Sequence, residues 1–274
     1  VLSNSSDAEY IFELSDTELI LGHENGKLSY YNGNKFEPLQ LDPDTRRIFC
    51  LTPDHSGNLW IGTQTTGAYK VSRKNLVANI INKRFDRYDA AKGLSRDVTS
   101  VLHDSNDQLW FITDLGIKQL NKKTGTFDFY LPSGIDFVQF SAIAEDGNKD
   151  LWLGTPSSGC WRYSQKQKKY ISYTVENGML GTNFVSVLQA NSKGEMMIGT
   201  WRGGVNMVKG DNVEKIKKKN GLSENKIRCL GEDREGNLWI GTNQNGVSCY
   251  RGQSFRMYER SSNGTNTQIG AICT

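Results

Sequence analysis

What the 274 residues lack narrows the field first. No apolar run approaches the roughly 20 residues that a membrane-crossing helix needs, and the amino terminus carries no signal-peptide pattern. This segment is therefore expected to make no contact with a membrane. No 3.6-residue apolar periodicity is sustained, which argues against helical repeats. Charge of one sign is missing too: 33 Lys and Arg against 30 Asp and Glu leave a net charge of +3, weak support for any polyanionic partner, and no nucleic acid is expected. Histidine is sparse. His23, His55 and His103 share no ligand spacing, so neither a metal nor a cofactor is expected. The five cysteines suggest no disulfide framework. Motifs of the GxSxG and HExxH kinds and phosphate-binding glycine loops are absent, and no catalytic residue is nominated. Proline is scarce at 5, while glycine reaches 28, a count that suits a turn every ten residues or so.

What is present is a repeat. Its clearest copy is EDREGNLWIGTNQNGV, Glu232 to Val247. Asp233-Arg234-Glu235-Gly236 has the Asp-first, Gly-fourth pattern of a type I turn. Leu238-Trp239-Ile240 is a short run of strand formers, Asn243-Gln244-Asn245-Gly246 a second turn, and Val247 to Tyr250 a further strand. Relatives begin at Asp54, Asp104, Asp146 and Asn191, with a degenerate copy at Asp16. Phase markers fall at Ile20, Trp60, Trp110, Trp152, Met197 and Trp239, so the gaps are 40, 50, 42, 45 and 42 residues. A period near 40–45 residues carrying four strand-sized pieces is that of a propeller blade. Stacking such sheets buries faces that one sheet alone leaves wet.

The expected fold is therefore all-β: a propeller of four-stranded antiparallel blades, arranged as an arc with the first strand of each innermost. Blades are placed at about 8–40, 46–90, 93–131, 137–174, 183–217 and 221–260, with the first strand of a seventh at 267–274, all in one domain. The second blade is long. An added strand is expected over Asn79 to Asn82, and the last strand over Arg84 to Tyr88. The next marker would fall past Thr274, from which the natural polypeptide is expected to continue.

The core EDREGNLWIGT, with the entries GLSRDVTSVLHD from Gly93 and GLSENKIRCLGED from Gly221, closely resembles the two-component regulator propeller repeat. The likeness is specific in repeats two, three, four and six. It weakens in repeat five, where Met196-Met197 replaces Leu-Trp, and in repeat one, where Leu19-Ile20 does; repeat three has Ile112 in place of the glycine. The resemblance implies the extracytoplasmic, periplasmic sensor of a hybrid histidine kinase that detects an oligosaccharide or another small ligand. Adjoining sensor domains of the same chain and a second copy would be further partners. It implies a non-catalytic segment; a propeller lyase or glycosidase, or a protein-interaction scaffold, are the alternatives.

The recurring Asp54, Asp104, Asp146 and Asp233 stand six residues before their markers and read as turn caps rather than acid–base groups. Trp60, Trp110, Trp152 and Trp239 are expected in the core. Cys50, Cys229 and Cys160 fall on strands and read as small buried hydrophobes. The runs Lys215 to Lys219 and Lys166 to Lys169 lie in or near the last strand of a blade, where lysine blocks edge pairing. Function is expected in the second-to-third-strand loops and the blade-to-blade connections, which emerge on one end and vary while the framework repeats. Their amides, hydroxyls, one aromatic and one guanidinium suit a sugar. Trp201 and Arg202 lead, with Gln64, Asn243, Gln244 and Asn245 from the loops and Arg47 and Arg96 from the connections; Arg46 and Lys226 would add charge suited to an acidic glycan. Trp201 packing on a neighbouring loop is the competing role.

Overall fold

Each repeat folds as one antiparallel sheet whose four strands pair in sequence order. The computed structural model describes residues 8–130, 139–164, 166–252 and 254–258. The first sheet holds β1 (Ala8–Ser15), β2 (Glu18–His23), β3 (Lys27–Tyr31) and β4 (Phe36–Gln40). The second holds β5 (Arg47–Pro53), β6 (Asn58–Gln64), β7 (Ala68–Ser72) and β8 (Asp86–Tyr88). The third holds β9 (Val98–His103), β10 (Leu109–Thr113), β11 (Gly116–Asn121) and β12 (Thr126–Tyr130). The fourth holds β13 (Ala142–Glu145), β14 (Leu151–Gly154), β15 (Cys160–Ser164) and β16 (Lys169–Tyr173). The fifth holds β17 (Val185–Ala190), β18 (Met196–Thr200), β19 (Gly204–Lys209) and β20 (Asn212–Ile216). The sixth holds β21 (Ile227–Glu232), β22 (Leu238–Thr242), β23 (Val247–Tyr250) and β24 (Phe255–Tyr258). These are six blades of a β-propeller. The chain divides into two compact units, 1–137 and 138–272, with three sheets each.

Within each unit successive sheets stack face to face. In the first unit β5 packs against β1 and β9; in the second, β17 packs against β13 and β21. The second strand of each sheet is buried over most of its length, on both faces, which is why it reads as an apolar run. Leu59, Trp60 and Ile61 are buried to 1% exposure or less. One apolar cluster fills the space between the first two sheets through Ile20, Leu28, Ile48, Leu59 and Ile61. Another joins the second and third through Trp60, Leu94, Val98 and Phe111, with the Trp60 and Phe111 rings edge to face at 5.2 Å. The repeated glycine exists because neighbouring sheets come close. A Cβ on Gly62 would lie 2.6 Å from Val98 O of the next sheet, and one on Gly199 would lie 2.9 Å from Ile227 of the next sheet. Facing that glycine, the first strand carries a bulge at Ile48/Cys50, Val185/Val187 and Ile227/Cys229, which tightens the local twist.

The turn carboxylates close the framework. Asp104 Oδ1 accepts from the backbone N–H groups of Asn106 at 3.0 Å and Gln108 at 2.8 Å, and Oδ2 accepts from Trp110 Nε1 at 2.8 Å. The same three bonds recur at Asp54, Asp146 and Asp233, with indole distances of 3.0, 2.8 and 2.7 Å. Asp and Trp six apart are thus one device, in which the buried indole donor meets the second carboxylate oxygen.

Three expectations need correction or fall outside the described residues. Residues 79–82 form no strand; Leu76–Ile81 is a short helix, α1, that buries Leu76 and Ile80 against the first two sheets. Trp60, Trp110 and Trp152 are buried, whereas Trp239 is half-buried, lying against Tyr258 with ring centroids 5.3 Å apart. No further sheet follows it among the described residues of its unit. The expected seventh-blade strand at 267–274 lies outside the described residues. The four described cysteines, Cys50, Cys160, Cys229 and Cys249, are buried free thiols; burial pushes Cys50 and Cys229 up to about 12 and raises Cys160 as well, so these thiols are poor nucleophiles.

Candidate ligand-binding site

The loops between second and third strands share an anchor. The threonine that ends the second strand turns its hydroxyl onto the carbonyl of the glycine that starts the third. Thr63 meets Gly67 at 2.6 Å, Thr155 meets Gly159 at 2.9 Å, Thr200 meets Gly204 at 2.8 Å and Thr242 meets Gly246 at 3.0 Å. Gly67 has φ 82°, and a Cβ there would lie 2.1 Å from Tyr88 O, so the position requires glycine. The glycine N–H then reaches the connection into the next blade: Gly67 to Arg96 O at 2.8 Å, Gly159 to Asn183 O at 3.0 Å, Gly204 to Asn225 O at 3.0 Å. Both loop sets therefore sit on one end of each blade. The residues between anchor threonine and glycine are left to vary.

In the first unit these loops enclose a pocket of about 610 Å³, lined by Asp44, Arg46, Thr65, Thr66, Arg87 and Arg96 together with Pro43, Asp89, Ala90 and Ala91. Its floor is rigidly held. Thr66 Oγ1 lies 2.9 Å from Thr45 Oγ1 and 2.8 Å from Thr63 Oγ1. Thr65 adopts φ 80°, a strained value for a β-branched residue. It is pinned there by Asp97 Oδ1, which accepts its N–H at 2.9 Å, and by its own hydroxyl on Asp44 O at 2.7 Å. Arg87 is engaged with Asp42 at 3.1 Å and Asp89 at 3.2 Å. Arg46 and Arg96 are exposed, and neither side chain meets a described residue in an ion pair or hydrogen bond.

The sequence-nominated residues separate into three groups. Arg96 lines this pocket, and Arg46 joins it. Arg47 does not: its guanidinium holds the buried Glu9 through two bonds, with Nε to Oε2 at 2.7 Å, and reaches Glu24 at 3.1 Å. The Glu9 carboxylate keeps Arg47 above its ordinary value, against the opposing effect of burial. Gln64 ends β6, half-buried, and its carbonyl accepts the Arg46 N–H at 3.3 Å.

The remaining nominated residues lie in the second unit, where Lys226 joins two loops. Trp201 is half-buried, stacks on Phe184 at 5.9 Å between centroids, and has Lys226 Nζ 5.8 Å from its ring. Its N–H donates to Phe184 O at 3.0 Å. Packing on a neighbouring connection is thus what the structure shows for this ring, beside an exposed Arg202. Asn243 is buried, and its N–H donates to Lys226 O at 3.0 Å. Asn245 Nδ2 braces Ser223 O at 3.1 Å. Gln244 is exposed, its N–H on Glu224 Oε2 at 2.8 Å. Sequence reasoning placed Thr65 and Thr66 on a variable loop but missed Arg87 and Asp44 as pocket-lining residues. Gln64-Thr65-Thr66 was legible as a loop, but nothing marked Thr65 as strained.

Two other places bring polar or ligating groups together. A larger cavity of about 860 Å³ runs along α1, but Glu18 already accepts from Tyr30, and Arg73 lies over Phe12 at 5.2 Å. At the opposite turns, His55, His103 and Asp107 offer ligand atoms within 4.8 Å of one another. The His55 N–H donates to His103 Nδ1 at 2.8 Å, so the ring proton sits on Nε2, facing Asp107 Oδ1 at 2.7 Å. Lys122 also holds Asp107 at 2.6 Å and, with His103, lowers its pKa. A metal on His103 Nε2 would require the ring to give up its one proton and become an imidazolate while a backbone N–H occupies Nδ1. These residues do not fit a metal.

Residues 42–65 and 221–244 match the model for the Two component regulator propeller, and the chain carries that repeat there. None of the curated proteins compared with the chain matches it. Among solved structures, the extracellular domain of BT3049, assigned to a hybrid two component system of B. thetaiotaomicron, superposes with a TM-score of 0.73 at 21% identity, over 94% of this chain and 34% of that one. That of BT4673, assigned to a one component system of the same organism, gives 0.67 at 16%, over 94% and 44%. Virginiamycin B lyase from Staphylococcus aureus gives 0.71 at 13%, over 94% and 86%. At these identities the likeness is one of fold. The chain spans about a third of the length of the first of these ectodomains.

Proposed function

We propose that this chain is a ligand-sensing, non-catalytic propeller segment of a two-component regulator's ectodomain, working outside the cytoplasm on an oligosaccharide or other small ligand. The observation that carries this reading is the pocket of about 610 Å³ on the variable-loop end, a size usual for small-molecule sites. The recurring carboxylates, which would otherwise suggest acid–base chemistry, are occupied by backbone and indole donors. The regulator-propeller repeats support the sensing role, and no described helix is long and apolar enough to cross a membrane. Histidine kinase, membrane span, periplasmic placement and homodimerisation belong to the proposed whole protein.

Sensing of this kind works by differential affinity. A ligand shifts the balance between two arrangements of the sensor only as far as it binds one better than the other. Sheets packed at core density deform little, so movement is expected between this segment and what adjoins it. The test is calorimetric titration of the protein with a panel of oligosaccharides, followed by analysis of the recovered sugars. Saturable binding with sugars returned intact is expected. Shortened or unsaturated products would overturn the non-catalytic reading.

A further inference from the structure

Resting on that reading, we infer that the first-unit pocket selects a saccharide carrying a carboxylate or sulfate group, held between Arg46 and Arg96. Five ionisable side chains line the pocket: Asp44, Arg46, Arg87, Asp89 and Arg96. Two of them neutralise each other, because Arg87 is paired with Asp89 and with Asp42 beside it. Asp89 also accepts the Ala91 N–H at 3.0 Å. That leaves two guanidiniums and the Asp44 carboxylate without an ion-pair or hydrogen-bond partner for their side chains among the described residues.

The two arginines enter from different connections, Arg46 just before β5 and Arg96 just before β9, and both face one concavity. Their backbones are fixed: the Arg46 N–H donates to Gln64 O at 3.3 Å, and Arg96 O accepts from Gly67 at 2.8 Å. Each guanidinium presents a planar fork suited to two oxyanion oxygens. Two like charges around one hollow raise the local potential for an anion. Asp44 adds the second half of the specificity. A dense polyanion would be repelled by it, whereas a sugar bearing a single charged group brings hydroxyls that a carboxylate accepts readily. The threonine hydroxyls contribute shape rather than contacts, since Thr65 and Thr66 are already bonded.

The experiment is calorimetric titration of the 274-residue protein with a uronic-acid oligosaccharide, a sulfated oligosaccharide and the neutral counterpart of each, on the parent protein and on Arg46→Gln, Arg96→Gln and the second-unit control Lys219→Gln. Binding of one acidic class is expected, with the neutral sugar at least about tenfold weaker and a loss of about tenfold or more in each arginine variant. The melting temperature should not move, because neither guanidinium touches a described partner. Whichever acidic arm binds names the group. Equal loss in Lys219→Gln would mean diffuse charge attraction and overturn the site. Binding of neutral sugars that ignores both arginines would overturn the anion selectivity yet leave the sensor reading standing, and no saccharide binding at all would overturn this inference and, with it, the oligosaccharide as the sensed ligand.

Discussion

The fourth and fifth blades occupy the same unit and differ in one device. In the fourth, Asp146 accepts two backbone N–H groups and the indole of Trp152 at 2.8 Å. In the fifth, the marker is Met197, which has no donor, and the turn residue is Asn191. Its Oδ1 keeps the two backbone bonds, to Lys193 at 3.1 Å and Glu195 at 2.8 Å, while its Nδ2 turns to Glu195 Oε2 at 2.8 Å. The turn itself needs only one acceptor oxygen. The negative charge belongs with the indole: where the buried donor is lost, a second carboxylate oxygen would face Glu195, and an amide stands there instead. The carboxylate series is therefore structural, and its gap in the fifth blade shows why.

Removing a ring from this comparison should have the largest effect. Trp152→Ala is expected to cost about 3–5 kcal/mol in a denaturant titration, and the loop variant Trp201→Ala much less, because Trp201 is only half-buried. Equal losses would mean that strand and loop tryptophans do the same job. Next, Asp104→Asn should cost about 1–3 kcal/mol, since the amide still serves Asn106 and Gln108 but points a donor at the Trp110 indole. A neutral result would show that the indole bond contributes nothing. The reverse change in the fifth blade, Asn191→Asp, should cost at most about 1 kcal/mol through repulsion from Glu195, and acidification should relieve it.

The smallest effect is on the acid limb of stability. Burial raises the Asp54 pKa, but the Asn58, Trp60 and Ser56 hydrogen bonds outweigh it and hold the group below its ordinary 3.8. A depressed folded value means that the stabilisation is present above about pH 4 and is lost as pH falls through the lowered value. Asp54→Asn should flatten that limb in a pH series of melting temperatures, while Asn191→Ala, which neither removes nor adds a titrating group, should leave it alone.

The blades were legible because a strand buried on both faces has to be apolar, a glycine has to stand where sheets touch, and the turn before it requires a capping Asp or Asn oxygen. The helix α1 was not. Leu76–Ile81 is six residues long, too short for helical periodicity to show, and Val77, Ile80 and Ile81 favour strand locally. It is helical because Leu76 and Ile80, one turn apart, both reach the core. The pairing of His55 with His103 was also hidden, since the two are 48 residues apart in sequence and sit on opposite sides of their turn aspartates.

By itself, then, the sequence determined the six described sheets, their strand order and the end of each blade on which the variable loops lie, because those follow from local patterning repeated at one period. Only the tertiary structure decided which of several similar arginines are available. Arg47 opens β5 and Arg96 stands just before β9, yet Glu9, 38 residues earlier in sequence, takes the first, and the second faces an open pocket. Pairing of charges depends on distance in space, and no pattern along the chain records which carboxylate another blade will bring near.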